Sequence, residues 1–187
     1  TEKYTEVLQQ MESCTGATRK ERFMWKFDTI EELNAAAAAI KETGDAAKLK
    51  EFAADCGLDK TDAEDYMDGT VKKFATLPMA VNARIGMESK ELKIAGVLAD
   101  WRDTLLAECT EDQELCKGVL RITNTLKGYM AAVIRFSFGN KVQVSNEIVK
   151  ATKVLHDGKE EQLRGPLYMG VPNKAQLRQI IREYYCK

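Results

Sequence analysis

From Leu49 to Gly69 the chain reads LKEFAADCGLDKTDAEDYMDG, two helical patterns broken at a single glycine, and this punctuation constrains the fold more than any other feature. Leu49, Phe52, Ala53 and Cys56 fall at i, i+3, i+4 and i+7, one apolar stripe along a short helix. Beyond Gly57 and Leu58, Asp59 is a good N-cap, and Thr61 with Glu64 three residues on is a capping box. Gly69 marks the end of the second helix. Small Ala53, flexible Gly57 and apolar Leu58, Ala63 and Tyr66 have the spacing of a helix-turn-helix, whose second helix commonly enters a DNA major groove.

Charge argues against that use. Asp59, Asp62, Asp65 and Asp68 recur at every third residue, Glu64 adds a fifth acid and Asp55 a sixth, while Lys60 is the only base on the second helix. With ~1.5 Å of rise per residue the aspartates climb about 4.5 Å per step, against about 3.4 Å between phosphates along one DNA strand. Such a helix repels a phosphate backbone and attracts whatever binds one. A solvated helix face, with acids favoured near its N-terminus, is the commonest meaning of this pattern. Capping does not account for Asp68, which falls at the end where a negative charge is unfavourable.

The same periodicity predicts helices along the rest of the chain. Tyr4, Val7, Leu8 and Met11 form a first amphipathic helix ending near Gly16. Thr29 with Glu32 opens the next, which runs through the alanines at 35–39 to Gly44, and Asp45 caps its successor. Pro78 interrupts or starts a helix. Ile94, Val97, Leu98, Trp101 and Leu105 form the core stripe of a longer one, and Thr110 with Gln113 reads as a box placing Cys109 and Cys116 on different helices. Leu126, Met130, Val133, Ile134 and Phe138 share a face up to Gly139, and Ser145 caps a helix carrying Ile148, Thr152 and Leu155. The final helix buries Leu177, Ile180, Ile181, Tyr184 and Tyr185, and sets Lys174, Arg178 and Arg182 at four-residue spacing on its other side, a row suited to RNA phosphate as well as to solvent. Phe23, Trp25 and Phe27 alternate as a short strand would, pairing with GPLYMGVP, although a loop packed on the core fits the same pattern. The expected fold is mainly α: one compact multi-helix unit over residues 1–187, with a helix-turn-helix-like acidic lobe at about 26–88, a basic helical lobe at about 89–187, and one short two-stranded β element.

A chain of 187 residues with 30% charged and 44% hydrophobic residues can bury a real core. The formal net charge of -1 hides an asymmetry: residues 1–100 hold 14 Lys and Arg against 19 Asp and Glu, a net of -5, and residues 101–187 hold 14 against 10, a net of +4. Two faces of opposite sign suit a ribonucleoprotein partner, which offers a complement to each. No apolar run approaches the ~18 residues of a membrane span, and TEKYTEVLQQMESC lacks a signal-peptide core, so a cytoplasmic protein with no membrane partner is expected. Five cysteines without a CxxC pair suggest neither a disulfide framework nor a zinc knuckle. His156 is the only histidine and lies in LHDGKEE, a polar helix end. Without GxSxG, a Walker loop or HExxH, the expectation is a protein that is not an enzyme, with no cofactor, metal or small-molecule substrate. Carboxylate acid-base chemistry among 29 Asp and Glu residues is the last alternative.

The segments KFDTIEELNA (26–35), GDAAKLKEFAADCGLDKTDAEDYMDG (44–69), FATLPMA (74–80), LADWRD (98–103), TLKGYM (125–130), IRFSFGNK (134–141) and MGVPNKAQLRQIIREYY (169–185) resemble a group of small proteins from phages and mobile elements of gut bacteria. That group includes type II anti-CRISPR proteins, which inhibit Cas9. The resemblance covers most of residues 26–185 and brings no catalytic residues with it. It implies an inhibitor that binds guide-RNA-loaded Cas9 and blocks target DNA binding and cleavage. Since Cas9 holds DNA in basic channels, Asp55, Asp59, Asp62, Glu64, Asp65 and Asp68 would stand where phosphates sit, and Lys174, Arg178 and Arg182 would touch guide RNA. The rival readings are a helix-turn-helix regulator binding DNA through Arg164 and Lys174 to Arg182, and an accessory or scaffold protein of a mobile element.

Overall fold

The computed structural model describes residues 25–187, and the expected helix over Tyr4–Met11 lies outside them. The described chain is mainly α, with nine helices and four short strands: α1 (Ile30–Glu42), α2 (Ala46–Asp55), α3 (Lys60–Met67), α4 (Leu77–Glu91), α5 (Val97–Glu111), α6 (Gln113–Leu120), α7 (Leu126–Gly139), β1 (Val142–Gln143), α8 (Asn146–Ala151), β2 (Lys153–His156), β3 (Lys159–Gln162), β4 (Tyr168–Met169) and α9 (Lys174–Tyr185). No helix among the described residues is long and apolar enough to cross a membrane.

Capping side chains set most of the helix starts. Thr29, Asp45, Thr76, Thr125, Ser145 and Asn173 each accept a hydrogen bond from a backbone N–H in the first turn of the helix they precede. The first half of the core is a chain of rings, Trp25, Phe27, Phe52, Phe74 and Tyr66, with successive centroids 5.5–6.0 Å apart. Asn34 locks α1 to this cluster by donating to Ala75 O and accepting from Ala75 N, each at 3.0 Å. The second half closes around Tyr129, Tyr184 and Tyr185, with α9 packed on α5, α6 and α7.

Helix α4 joins the halves. Gly57, at φ +69°, ends α2 in a left-handed turn, and a Cβ there would lie 2.4 Å from Met87 Sδ and 3.3 Å from Ala83 O of α4. On another side of α4, Arg84 is 1% exposed and donates to Glu88 at 2.8 Å, to Val119 O at 2.6 Å and to Arg121 O at 2.8 Å. Glu88 in turn accepts from Leu126 N at 2.5 Å. One ion pair, buried at Arg84 and half-buried at Glu88, thus holds both the carbonyl end of α6 and the amide end of α7, the groups a helix leaves unpaired. The 88/89 division suggested by charge falls inside α4.

Several expectations are corrected. The Thr61–Glu64 box does not form: Asp59 is the cap and accepts from Thr61 N, so α3 starts one residue before Thr61. Thr110 remains inside α5, its hydroxyl donating to Ala107 O, and Asp112 caps α6 through Glu114 N and Leu115 N. Ile94 precedes α5, because Lys93 and Gly96 take positive φ and separate it from α4. Ile134 and Phe138 are exposed, since the buried face of α7 runs through Leu126, Tyr129, Met130, Val133 and the half-buried Phe136, and they fall to its flank. Helix α8 stops at Ala151, and Leu155 and His156 belong to an antiparallel hairpin of β2 and β3 turned at Asp157–Gly158, both at positive φ. Asp-Gly between strands is a strong hairpin signal. Finally, Trp25 and Phe27 lie in a core-packed loop, and Tyr168–Met169 pairs with Val142–Gln143 instead, so there are two small sheets rather than one.

Candidate functional site

The acidic helix pair is assembled by a capped turn. Leu58 N donates to Ala53 O at 2.9 Å and Gly57 N to Ala54 O at 3.1 Å, the two bonds of a Schellman ending. Leu49, Phe52, Ala53, Cys56, Ala63 and Tyr66 are buried. Burial of these residues turns the acids outward. From Asp45 to Gly69 the segment holds eight Asp and Glu against three Lys, which equals the whole negative excess of residues 1–100.

The six predicted acids are not equivalent. Asp55 is exposed at the end of α2, and Asp65 is exposed on α3. Asp68 is the exposed C-cap of α3, where the carboxylate meets the negative end of the helix dipole, and Asp62 is half-buried in the first turn. Asp59 is committed to structure: its carboxylate accepts from Thr61 Oγ1 at 2.5 Å and from Thr61 N at 2.9 Å, and those bonds, the hydroxyl's first, hold its pKa below the usual carboxylate range. Glu64 pairs with Lys50 of α2 at 2.6 Å. The row of four aspartates is therefore two caps flanking two helical residues, and four of the six acids, Asp55, Asp62, Asp65 and Asp68, have no basic side chain within ion-pair distance among the described residues.

Two bases escape a reading by sequence. Lys50 and Lys41 meet α3 only through folding, Lys41 by donating to Tyr66 O while its ammonium sits 4.4 Å from the Tyr66 ring centroid. Nothing in their spacing announces this.

The predicted basic row is divided. Arg178 Nε donates to Glu108 of α5 at 2.6 Å, and Arg182 Nη1 donates to Asp112 at 2.9 Å, so both guanidinia are occupied in binding α9 to the α5–α6 joint. Lys174 stands exposed in the first turn of α9. The structure brings Arg178 and Arg182 to carboxylates and leaves Lys174 outside that arrangement.

Other chemistry is sparse. Among the described residues no three or more His, Cys, Asp or Glu side chains are placed to hold a metal ion. His156 is exposed in the β2–β3 hairpin, and its Nδ1 lies 3.7 Å from Asp157. Cys56 is buried, which pushes its thiol up to about 12, and burial also raises Cys109. Cys116 Sγ donates to Cys109 O at 3.0 Å across the α5–α6 joint, and all four described cysteines are free thiols. A cleft of about 220 Å³ opens beside Trp25, Leu92, Ile122 and Lys127, bordered by Arg84 and Glu88, whose hydrogen bonds to backbone are described above.

Comparison with protein-family models, with curated proteins and with solved structures finds no match to this chain.

Proposed function

We propose that the protein is a binding module whose acidic helix pair docks on a phosphate-binding surface of a basic partner, and that the partner is guide-RNA-loaded Cas9. The observation that carries the first part is the set of carboxylates on the well-packed α2–α3 pair, Asp55, Asp65 and Asp68 exposed and Asp62 half-buried, which no base pairs with among the described residues. Rigid helices hold these charges in place before binding, so little ordering entropy opposes association. The second part rests on the sequence resemblance alone. Bound in this way, the protein competes with target DNA for the basic channel and inhibits without chemistry. Electrostatic docking also implies fast association that weakens steeply with salt.

The test measures target binding and cleavage by guide-loaded Cas9 with one equivalent of the protein, for several Cas9 orthologues. Replacing Asp55, Asp62, Asp65 and Asp68 together by Asn should reduce inhibition at least tenfold while the circular dichroism spectrum and Tm stay near wild type. Asp59 is left intact in this variant because it caps α3. Inhibition by the quadruple variant at wild-type strength would refute mimicry, and no effect of the wild type on any orthologue would refute Cas9 as the partner.

A further inference from the structure

Two long runs of the chain contain no acid: Leu115–Asn146, with five Lys and Arg, and Gln162–Arg182, with four. The fold brings them together. Strand β1 pairs with β4 in the register Val142↔Met169 and Gln143↔Tyr168, and Val144 N donates to Leu167 O at 2.8 Å. Gly170 lies so close to the end of α7 that a Cβ there would sit 2.0 Å from Ser137 O and 2.9 Å from Lys141 Cα. The last turn of α7 and the β1–β4 ribbon are therefore one continuous surface.

That surface carries exposed rings and charges. Phe138 is 72% exposed and Tyr168 49% exposed, with Lys141 Nζ 5.7 Å from the Tyr168 ring centroid. Among the described residues no carboxylate pairs with Arg135, Lys141, Arg164 or Lys174. In the same two runs Lys117, Arg178 and Arg182 are paired, so ion-pairing separates structural bases from available ones. Exposed rings, one of them beside a lysine that no carboxylate pairs with, are the elements of a stacking platform for unpaired bases, with phosphates held by the Lys and Arg side chains.

We propose that the end of α7 and the β1–β4 ribbon bind single-stranded nucleic acid, with Phe138 and Tyr168 stacking on bases and Arg135 and Lys141 contacting phosphates. This moves the nucleic-acid contact away from Arg178 and Arg182, which already hold the α5–α6 joint. It uses none of the acidic residues of α2 and α3, and its test contains no Cas9, so the two proposals fail separately.

Fluorescence anisotropy with a labelled single-stranded 20-mer, as RNA and as DNA, reads the binding directly. The full chain should bind at low salt, with log Kd rising linearly with log salt. Phe138→Ala and Tyr168→Leu should each weaken binding roughly fivefold to a hundredfold, the range for losing one stacked base. Lys141→Gln should lower the salt slope by about one phosphate contact. Lys60→Gln, on α3, is the control and should leave binding unchanged. Since Phe138, Tyr168 and Lys141 are exposed, the variants should keep the wild-type Tm. No binding at low salt, equal loss with the Lys60 variant, or duplex DNA bound as tightly as single strands would each overturn the proposal. So would a concentration-dependent dimer abolished by Met169→Asp, which would assign the ribbon to a second copy of the chain.

Discussion

Arg84 shows how much structure one side chain can organise. A guanidinium presents several donors in a planar fork, and at 1% exposure each must find an acceptor. Glu88, Val119 O, Arg121 O and Asn124 O, at 2.6–3.2 Å, provide them. Arg84→Leu leaves Glu88 without its charge partner and the end of α6 uncapped, so a loss of about 3–5 kcal/mol is expected in urea unfolding. Tyr185 presents the opposite case. Its hydroxyl is buried with no hydrogen-bond partner among the described residues, and burial raises its pKa well above the usual phenol range. Tyr185→Phe removes an unsatisfied polar group, so stability should stay level or rise by about 1 kcal/mol. Tyr129, whose hydroxyl donates to Trp101 O at 3.2 Å, supplies the contrast: Tyr129→Phe should destabilise. Of these roles only the i, i+4 spacing of Arg84 and Glu88 is visible in the sequence, since every other partner is more than 25 residues away.

At the scale of elements, the joint between α5 and α6 concentrates charge. Asp112 caps α6 and also accepts from Arg182 of α9, so it fixes three helices at once. The Leu115 amide first, and the Arg182 guanidinium after it, hold its carboxyl below the usual range. A carboxyl with a depressed folded pKa stabilises above its unfolded value of about 3.9, and that contribution disappears as pH falls through the lower folded value. Thermal melts at pH 7 should therefore separate wild type from Asp112→Asn, and the difference should shrink below about pH 4. A gap in Tm that persists unchanged at low pH would assign the effect to packing. Helix starts were legible because caps are local, one polar side chain meeting amides two or three residues on. The Thr61 and Thr110 boxes failed for the same reason. In each case an aspartate two residues away, Asp59 or Asp112, offers a charged acceptor, which outcompetes a hydroxyl.

Across the described residues, charge is segregated along the chain rather than spread evenly. Acids are dense between Asp45 and Gly69 and again on α5, where Asp100, Asp103, Glu108 and Glu111 stand against Arg102, while bases that no carboxylate pairs with lie on α7, at Lys141 and in the segment leading into α9. Neither group contributes to the cores, which are built from rings and aliphatic side chains. Removing charge from either surface should thus change partner binding more than folding, which is why both binding tests include Tm as a control.

The sequence by itself determined the mainly α class, the helix-turn-helix-like pair and the acid content of its outer face, because apolar spacing, a cap and a glycine act within a few residues of chain. Tertiary structure alone decided which charges stay available. Whether Glu64 meets Lys50, Arg178 meets Glu108 or Lys141 stands beside Tyr168 depends on how elements pack, and residues far apart in the chain carry no local sign of it. The exposure of Phe138 was hidden for a related reason: an apolar helix such as α7 offers several stripes, and only packing shows that Tyr129, Met130, Val133 and Phe136 face the core while Ile134 and Phe138 do not.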